Sequence, residues 1–455
     1  MNIYIHVESS SRELDSKLLL GILAASKGHH VMVSNLSDFI RSMKLGLLEP
    51  GIFHTKSLTP ADDKIFRHQK IIENNFQLTS LDEEGGLVDY DYKKFAVTRY
   101  SNRTIEQSSA VFGWGSQDVD TLKKIYPKHS SKIHKTGSPR ADLWKSFFYS
   151  YWDIPKKLPQ KPFILVSSNL GIFNNKKRIS ELIEWHKKAG YYQRDPKLMK
   201  KHLNWIVDEG KMMLHYIDAI KILAKNNNLF EIVLRPHPVE GSELWKVLLE
   251  DTRNVHVIND GPITPWVNSS FAVLHNGCTT SIEASISGKP VITYVPFEQL
   301  YNRGMANELG HLVKNENELL LKVNEIFQES RSIDFKNKEQ DINLKLNEKV
   351  FIDDSELAAE KIINVWESLE SKKLQKSNNI KKLKLFLYLM NLRDKIKKKI
   401  LKLINKNFEN NQKFPPLNKK EIHNSFNKLV NIFNIKEKIK YEILSDHTIM
   451  IFRKY

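Results

Sequence analysis

A histidine flanked by two prolines follows an apolar, strand-like run in the second half of the chain. The run ends in the turn Arg235-Pro236-His237-Pro238. Proline fixes the backbone φ angle, so the two prolines limit the directions in which the imidazole can point. An imidazole N–H can donate to a phosphate or ribose oxygen, and a guanidinium can add charge or pair within the protein. The pattern favours nucleotide binding by His237 and Pro238 and leaves both roles open for Arg235.

A second polar turn opens a predicted helix further along the chain. Hydroxyls and free backbone N–H groups at a helix start form an anion site, and plain N-capping by the same hydroxyls is compatible with it. Glu283 could bond a ribose or simply complement the helix dipole. The turn Gly288-Lys289-Pro290 adds a cation. The residues assigned to this part of the site are Asn276, Gly277, Thr279, Thr280, Ser281 and Glu283.

A run of acids lies in the first part of the chain, at Asp82, Glu83 and Glu84, and a glycine pair follows it. A carboxylate can take the proton of an attacking hydroxyl, and neighbouring acids raise the pKa of at least one of them. For an arbitrary acid run, a solvated turn is the ordinary interpretation. A catalytic role for Glu83 or Glu84 therefore depends on the family resemblance described below.

No metal site and no cofactor are expected. The pair Asp89 and Asp91 has a spacing that can hold Mg²⁺, but such pairs are common by chance. No Cys/His cluster has zinc spacing, and no phosphate-binding Gly-rich loop of the Walker type is present. Cys278 has no adjacent base in the sequence and is interpreted as a packing residue.

The elements that would position these residues predict two α/β units. The chain opens with a β-α-β pattern, strand Ile3–Val7, helix Leu14–Lys27 and a strand at residues 29–33, which implies a parallel sheet. A proline- and lysine-containing stretch at 150–162 is typical of a linker, and a second strand-and-helix series follows it. The expected fold is GT-B-like, with two Rossmann-like domains, a cleft between them and a basic helical C-terminal extension.

The predicted divisions are a 1–155 acceptor domain, a 160–345 nucleotide-donor domain, a 346–374 closing helix and a 375–455 basic extension containing a small module. Turns at predicted strand ends supply further candidates for acceptor or cleft loops. These are Glu8, Ser10, Arg12, Gly113, Ser138, Arg140, Ser168 and Asn169.

The positive charge of the chain is concentrated in its last part. The net charge is +17, but residues 371–455 hold 22 Lys and Arg against 6 Asp and Glu. Residues 1–370 hold 48 against 47 and are nearly neutral. A basic tail on a neutral body favours an anionic surface as partner and not a nucleic acid. Lysines and apolar residues interleave at near-helical spacing in residues 380–404, which predicts a helix that lies on an anionic membrane. An amphipathic helix packed on the body is the alternative.

The single cysteine excludes an intramolecular disulfide and favours a reducing compartment. No uncharged stretch approaches the roughly 18 apolar residues that a membrane-spanning helix needs. We therefore expect a cytoplasmic protein, peripheral on the inner face of the plasma membrane.

These motifs together resemble bacterial surface carbohydrate biosynthesis proteins of GT-B type, over most of residues 1–345. The triplet Glu83-Glu84-Gly85 is similar to the acid-acid-Gly motif of bacterial sialyltransferases and capsule Kdo transferases, where that family places its general base. His237-Pro238 is similar to the pair that contacts the CMP of the donor there, and Thr279 to Ser281 match hydroxyls that serve the CMP phosphate. The form Arg235-Pro236-His237-Pro238 also resembles the CDP-glycerol glycerophosphotransferases.

The resemblance implies an enzyme that moves a CMP-activated acidic sugar, sialic-acid-like or Kdo, onto a lipid-linked or polysaccharide acceptor without a metal. Glu83 is the favoured base, with Glu84 close behind it. His237, with Thr280 and Ser281, would stabilise the departing CMP phosphate. The alternatives are a CDP-glycerol-type polyol-phosphate transferase, a UDP- or GDP-hexose transferase, and a non-catalytic protein that binds membranes or polyanions through its tail. A truncation after Glu370 is expected to separate the non-catalytic alternative from the enzymes. If all function resides in the tail, the body is dispensable.

Overall fold

The computed structural model describes residues 1–87, 92–188, 190–195, 197–298, 305–331, 346–369, 379–403, 413–435 and 438–454. The chain divides into two compact units. Unit 1 is Met1–Leu143 with Asn347–Tyr455, and unit 2 is Trp144–Leu346. The domain boundaries inferred from the sequence stay a prediction beside this observed division.

Unit 1 contains a sheet of eight strands in the order β13-β14-β2-β1-β3-β4-β5-β6. Strands β1 to β6 run parallel to one another, with β1 between β2 and β3. The inner strands are almost fully buried, as expected for a parallel sheet covered by helices. The strands are β1 (Asn2–His6), β2 (His30–Ser34), β3 (Ile52–Thr55), β4 (Gln77–Leu81), β5 (Ala110–Gly113), β6 (Ile133–Lys135), β13 (Ile439–Ser445) and β14 (Thr448–Arg453).

The last two strands form a hairpin that extends this sheet. β14 pairs antiparallel with β2, with Ile449 opposite Val33 and Ile451 opposite Val31, and β13 pairs antiparallel with β14. β14 is therefore paired with a strand from the first part of the chain. It continues the sheet that the first residues of the chain begin.

The helices of unit 1 connect and cover these strands. They are α1 (Ser10–Ser26), α2 (Leu36–Lys44), α3 (Asp62–Glu73), α4 (Tyr92–Arg99), α5 (Asn102–Glu106), α6 (Ser116–Ile125), α7 (Pro139–Asp142), α16 (Ala358–Ser368), α17 (Ile380–Leu403) and α18 (Lys419–Ile432), with short 3₁₀ turns at Gly85–Leu87 and Pro127–Lys132.

Unit 2 contains a parallel sheet of six strands in the order β12-β11-β10-β7-β8-β9. Its strands are β7 (Phe163–Ser167), β8 (Glu231–Arg235), β9 (Val255–Val257), β10 (Ala272–His275), β11 (Val291–Tyr294) and β12 (His311–Val313). Its helices are α8 (Ile179–Lys188), α9 (Tyr191–Arg194), α10 (Lys197–Lys225), α11 (Glu243–Leu248), α12 (Thr264–Ser269), α13 (Thr280–Ile286), α14 (Met305–Glu308) and α15 (Glu316–Glu329), with a 3₁₀ turn at Ser146–Tyr151.

The fold class inferred from the sequence is confirmed: both units are α/β with parallel sheets, and the basic C-terminal segment contains a long helix, α17. Within the described residues, none of the helices combines the length and the apolar character needed to cross a bilayer.

Candidate functional site

Three loops come together at the carboxyl edge of the sheet in unit 2. They follow β7, β8 and β10, which are adjacent and parallel, so their carboxyl ends meet at one edge. The loops begin at Ser168, Pro236 and Asn276. Ligands of open α/β sheets bind at this edge, which makes it the candidate site of unit 2.

Glu240 holds the loops after β7 and β8 together. Its carboxylate is fully buried and accepts hydrogen bonds from Ser168 Oγ (2.9 Å) and from the backbone N–H groups of Leu170 (2.9 Å) and His237 (3.1 Å). The indole N–H of Trp245 also donates to it, at 3.1 Å. A buried carboxylate with this many donors is a rigid support, and it fixes the backbone of His237.

The imidazole of His237 lies half-buried at the mouth of this loop. The backbone N–H of Val239 donates to its Nδ1 (3.4 Å), which favours the tautomer with the hydrogen on Nε2. The next residue, Pro238, is exposed, and its carbonyl accepts from Lys176 Nζ at 2.7 Å. A hydrogen bond within its own loop thus orients the imidazole of His237.

The guanidinium of Arg235 is hydrogen-bonded within the protein. This group is buried, donates to the carbonyls of Asp260 (2.5 Å) and Gly261 (2.8 Å), and lies over the ring of Trp266. Burial lowers the pKa of Arg235 to about 10. Of the two roles that the sequence left open, this geometry favours pairing within the protein, where Arg235 anchors the loop after β9.

Two asparagines join the loops after β7 and β10. Asn276 Oδ1 accepts from the backbone N–H of Asn169 (3.2 Å), and Asn169 Nδ2 donates to the carbonyl of Gly277 (2.8 Å). Asn276 is buried, and its Nδ2 has no hydrogen-bond partner among the described residues. An unsatisfied buried donor is costly, so Asn276 Nδ2 is a group that a ligand oxygen would satisfy.

His275, which sequence reasoning did not select, takes up backbone donors of the same loop. Its Nδ1 accepts from the N–H groups of Gly277 (2.9 Å) and Cys278 (3.3 Å), and its Nε2 lies 2.9 Å from the hydroxyl of Thr293. Burial lowers the pKa of His275 to about 3, so the ring is neutral. Two of the amides expected to face a phosphate are therefore used inside the protein.

The three hydroxyls at the start of α13 differ in position. Thr280 and Ser281 are buried: Thr280 Oγ1 accepts from Ser167 (3.2 Å), and Ser281 Oγ donates to the carbonyl of Cys278 (2.9 Å). Thr279 is exposed and makes no capping bond with its side chain. Thr279 is therefore the hydroxyl of the three best placed to meet a ligand, while Glu283, further along the helix, is only 6% exposed.

Lys289 does not belong to this edge. It precedes β11, so it lies at the amino edge of a parallel sheet whose site loops follow the carboxyl ends. Its ammonium donates to the carbonyl of Ser270 (3.1 Å), which precedes β10. The expectation of a phosphate-binding cation from the Gly288-Lys289-Pro290 turn is wrong.

In unit 1, the acid run that follows β4 divides into three environments. Asp82 is buried and accepts two hydrogen bonds from Arg99, at 2.7 and 3.0 Å. Burial raises the pKa of Asp82, with the Arg99 pairing acting against it. Glu83 is also buried and forms an ion pair with the buried ammonium of Lys17. Both side chains are therefore engaged in ion pairs within unit 1.

Glu84 is the exposed acid of the run. Its side chain is 47% exposed, and Arg12 Nη1 lies 3.2 Å from Oε1. Arg12 also contacts the buried Glu13, whose pKa is raised by burial and then by repulsion from Glu83. An acceptor hydroxyl could reach Glu84, which makes Glu84 the better placed of the two candidate bases.

Close packing explains why a glycine follows these acids at position 86. A Cβ added to Gly86 would lie 2.5 Å from the ring of Trp114, whose indole N–H donates to the carbonyl of Asp82 (2.7 Å). Gly113, which ends β5, is similarly enclosed by Val119. These glycines let the chain pass close to the side chains that hold the acid run.

The remaining candidates of unit 1 lie in two places. Glu8 forms ion pairs with Lys56 and Lys413, and the backbone N–H of Ser10 donates to the carbonyl of Lys413 (2.9 Å). Ser138 is buried and caps α7, in which Arg140 lies. Glu8, Ser10 and Arg12 lie just after the carboxyl end of β1. Arg12 contacts the acid run through Glu84.

The segment around Ser138 performs a task that the sequence did not reveal. Asp142 accepts from the backbone N–H groups of Ala358 (3.1 Å) and Ala359 (3.0 Å) at the start of α16. A carboxylate there satisfies unpaired amides and complements the helix dipole. Residues 136–142 thereby hold the returning C-terminal chain on the rest of unit 1.

The Asp89–Asp91 pair lies outside the described residues. Within the part of the chain that the structure describes, no group of three His, Cys, Asp or Glu side chains could hold a metal ion. Cys278 is buried and unpaired as a thiol, with its sulfur 3.1 Å from the hydroxyl of Thr280.

Solved structures share the architecture of this chain. A protein from Listeria monocytogenes assigned as a candidate UDP-N-acetylglucosamine 2-epimerase aligns with a TM-score of 0.51 and 15% identity, over 83% of this chain and 99% of that one. A glycosyltransferase from Rickettsia africae aligns at 13% identity over 82% and 99% of the chains, with a TM-score of 0.46. The fold is GT-B-like. No protein-family model and no curated protein sequence matches the chain.

The residues that sequence reasoning missed are mainly supporting ones. Glu240 follows His237 by three positions and is an acid in a segment that the fold buries. Its position next to the Arg-Pro-His-Pro turn was a signal that could have identified it. Lys17 and His275 carried no such signal, because each lies in an apolar run and the partner comes from a distant segment.

Proposed function

We propose that the protein is a glycosyltransferase that transfers a sugar from a nucleotide donor bound at the carboxyl edge of unit 2. The observation that carries the proposal is the buried Glu240, whose carboxylate fixes both Ser168 and the backbone of His237. Such a support has a clear use if His237 must hold one orientation toward a ligand. The proposed partners of the donor are His237, Thr279 and the unsatisfied Nδ2 of Asn276.

In unit 1, Glu84 is the proposed general base, which takes the proton of the acceptor hydroxyl as it attacks the donor sugar. The leaving nucleotide departs with its phosphate near His237, whose Nε2–H donates to it. Arg12 holds the Glu84 carboxylate in place. This division of roles requires no metal.

The proposed donor is a CMP-activated acidic sugar, as the motif resemblance implies. UDP is the competing nucleotide, because the epimerase-like structure that shares the fold is assigned to a UDP-sugar. Titration of the full-length protein with CMP, CDP, UDP and GDP, with and without Mg²⁺, tests this choice. Metal-independent preference for CMP supports the proposal, and preference for UDP replaces the donor with a UDP-hexose.

The contribution of His237 is tested in the same titration. His237→Ala is expected to weaken nucleotide binding at least about tenfold, because a charge-assisted hydrogen bond of about 1.5–3 kcal/mol is lost. The matched control is His256→Ala, which changes a partly exposed histidine on the edge strand β9. Equal affinity of the His237→Ala and His256→Ala proteins would remove His237 from the donor site.

We propose in addition that α17 holds unit 1 on an anionic membrane. One face of α17 packs on the body through the buried Leu383 and Leu387, against α2 and β13. A second apolar row lies roughly 170° around the helix from that face, at 100° per residue. Its members are Leu385, Tyr388, Leu389, Leu392, Ile396 and Ile400, each at least 46% exposed.

The charges around this second row fit a lipid surface. Lys381, Lys382, Lys397 and Lys399 are exposed. At 100° per residue, Lys381, Lys382 and Lys399 lie among the members of the row, and Lys397 lies next to it. The acid of the helix, Asp394, lies toward the body and pairs with Arg41. An interfacial helix buries its apolar row among acyl chains while lysines reach the anionic headgroups. We place this surface on the cytoplasmic leaflet, which carries a negative potential.

Vesicle sedimentation tests the membrane proposal. The full-length protein is expected to bind vesicles that contain anionic lipid and to bind neutral vesicles much more weakly. Leu389→Ser with Ile396→Ser should lower binding at least about tenfold, since each buried apolar side chain contributes about 1.5–3 kcal/mol. Leu321→Ser changes a leucine of unit 2 that is more exposed, at 71%, and serves as the control. Unchanged vesicle binding of the double variant would refute the role of α17.

A further inference from the structure

A cavity of about 640 Å³ opens at the carboxyl edge of the sheet in unit 1. It lies among the residues that follow β1, β2 and β3 and the facing sides of α2 and α3. Its volume is in the range of small-molecule sites. The cavity adjoins the acid run, because the backbone N–H of Glu83 donates to the carbonyl of Lys56, one of the lining residues (3.3 Å). The proposed catalytic machinery does not use it.

The charge of the lining is mostly positive. Arg41, Lys56, Lys64 and Arg67 line the cavity, and Glu8 is the carboxylate among its lining residues. Glu8 is shared between Lys56 and Lys413, so it does not neutralise the set.

The acids that pair with the two lining arginines lie outside the cavity. Arg41 pairs with Asp394, and Arg67 pairs at 3.6 Å with Asp63, whose side chain is 74% exposed. The walls therefore present a surplus of cations to whatever fills the cavity.

Burial and the nearby cations lower the pKa values of two lining histidines. The pKa of His6 is lowered to about 3, first by burial and then by Lys56, Lys17 and Arg67. The pKa of His68 is lowered to about 4, by burial and then by Arg67 and Lys64. The Nδ1 atoms of both rings are buried and have no hydrogen-bond partner among the described residues. The site thus holds cations and unsatisfied ring nitrogens together.

We propose that this cavity binds a phosphate or pyrophosphate group of the acceptor. Cations reach it from α2, α3 and the loop after β3, and the hydroxyls of Thr55 and Ser57 add donors. Donors that converge from several elements suit the oxygens of a phosphate better than a planar carboxylate, which a single arginine can hold in two parallel bonds. The proposal rests on the proposed function, since it assigns a chemical class to the acceptor of that reaction.

The neighbourhood of the cavity fits a phosphate that is attached to a lipid. Arg41 lines the cavity from α2 and also pairs with Asp394 of α17, at 2.9 Å. The helix proposed to lie on the membrane is therefore next to the cavity within unit 1. A lipid-linked pyrophosphate could enter from that surface, and a soluble sugar phosphate presents the same chemistry without the lipid.

Calorimetric titration of the full-length protein with inorganic pyrophosphate tests the site, with the tightest-binding nucleotide present at saturation to fill unit 2. Lys64→Gln is expected to weaken pyrophosphate binding about tenfold through loss of one charge-assisted contact. Lys70→Gln is the matched control, because Lys70 lies on the same helix, is exposed and pairs with Glu73. It should change the affinity less than about twofold.

The outcomes are separable from those of the proposed function. Nucleotide affinity should be the same in the Lys64→Gln and unchanged proteins, so loss of nucleotide binding in both would count against the donor site and not against the cavity. Pyrophosphate affinity that does not depend on Lys64, or glucuronate binding as tight as pyrophosphate binding, would overturn the phosphate assignment. Tighter Lys64-dependent binding of farnesyl pyrophosphate than of inorganic pyrophosphate would indicate a lipid-linked source, and equal binding a soluble one.

Discussion

Neighbouring carboxylates of one short run differ in what surrounds them. Glu83 is buried against Lys17, while Glu84 is half exposed beside Arg12. The motif resemblance placed the base within this pair and favoured Glu83, whereas the structure buries Glu83 and leaves Glu84 exposed. The choice depends on which side chain points inward, and that is set by the long-range contact with Lys17 of α1.

Replacement of Glu84 should affect the reaction and not the fold. Glu84→Gln is expected to lower kcat by about a hundredfold or more, because the acceptor hydroxyl loses its proton acceptor. Donor affinity and thermal stability should stay close to those of the unchanged protein. Initial rates at saturating donor measure the effect, and Asp120→Asn, at an exposed acid of α6, is the control. A Glu84→Gln protein with normal kcat would exclude Glu84 as the base.

Replacement of Glu83 should affect the fold first. Glu83→Gln leaves the ammonium of Lys17 buried without its counter-charge, which is expected to cost about 3 kcal/mol of unfolding free energy. Urea unfolding measures this loss. Replacing both partners, as Lys17→Met with Glu83→Leu, should recover most of it. A Glu83→Gln protein that is fully stable yet inactive would instead assign the base to Glu83.

Among the elements, those with a local signal were predictable. The opening β-α-β pattern and the basic helix at 380–404 were expected, and the structure has them as β1 (Asn2–His6), α1 (Ser10–Ser26), β2 (His30–Ser34) and α17 (Ile380–Leu403). The loops at strand ends were predictable for the same reason, since parallel strands bring their carboxyl ends to one edge. The pairing of β14 with β2 could not be predicted, because an antiparallel pairing between distant segments leaves no local pattern in the sequence.

This pairing changes the meaning of a C-terminal truncation. Cutting after Glu370 was expected to separate the tail from an intact body. It would instead remove the hairpin that covers the edge of β2, and with it the buried face of α17. Substitutions on the exposed face of α17 are therefore the cleaner test of tail function.

A core substitution in β14 tests the contribution of the hairpin to unit 1. Ile451 is fully buried and packs against α1 close to Gly21. Ile451→Ala should lower the unfolding free energy by about 2–5 kcal/mol, the usual cost of such a cavity. Chemical unfolding measures it, with Leu45→Ala at an exposed position as the control. A loss below about 1 kcal/mol would mean that the hairpin adds little to the stability of unit 1.

Across the whole molecule, acid should weaken both units through histidines that are buried uncharged. Burial holds the pKa of His275 at about 3 in unit 2, whereas an unfolded histidine titrates near 6.5. Between these values the unfolded chain binds more protons than the folded one, so stability falls as pH falls from about 6.5 toward 3. In unit 1, His6, His54 and His68 act in the same direction.

Urea unfolding at pH 7.5 and pH 5.0 measures this dependence. His275 alone should contribute about 2 kcal/mol of stability that is present at the higher pH and lost at the lower. His275→Asn is expected to be less stable at pH 7.5 but to show a smaller change between the two conditions. An identical pH dependence of the two proteins would show that His275 is not the titrating group.

The hairpin described above also bears on synthesis. Unit 2 is one continuous stretch of chain, whereas unit 1 needs its first strands and its last. Roughly 400 residues separate β2 from β14, so at ribosomal speeds of about 5–20 residues per second the edge of β2 waits on the order of 20–80 seconds for its partner. During that interval a growing chain exposes an unpaired strand edge, the kind of surface on which nascent proteins aggregate. Chaperone dependence during translation is expected to be concentrated in unit 1, while unit 2 can fold as soon as it emerges.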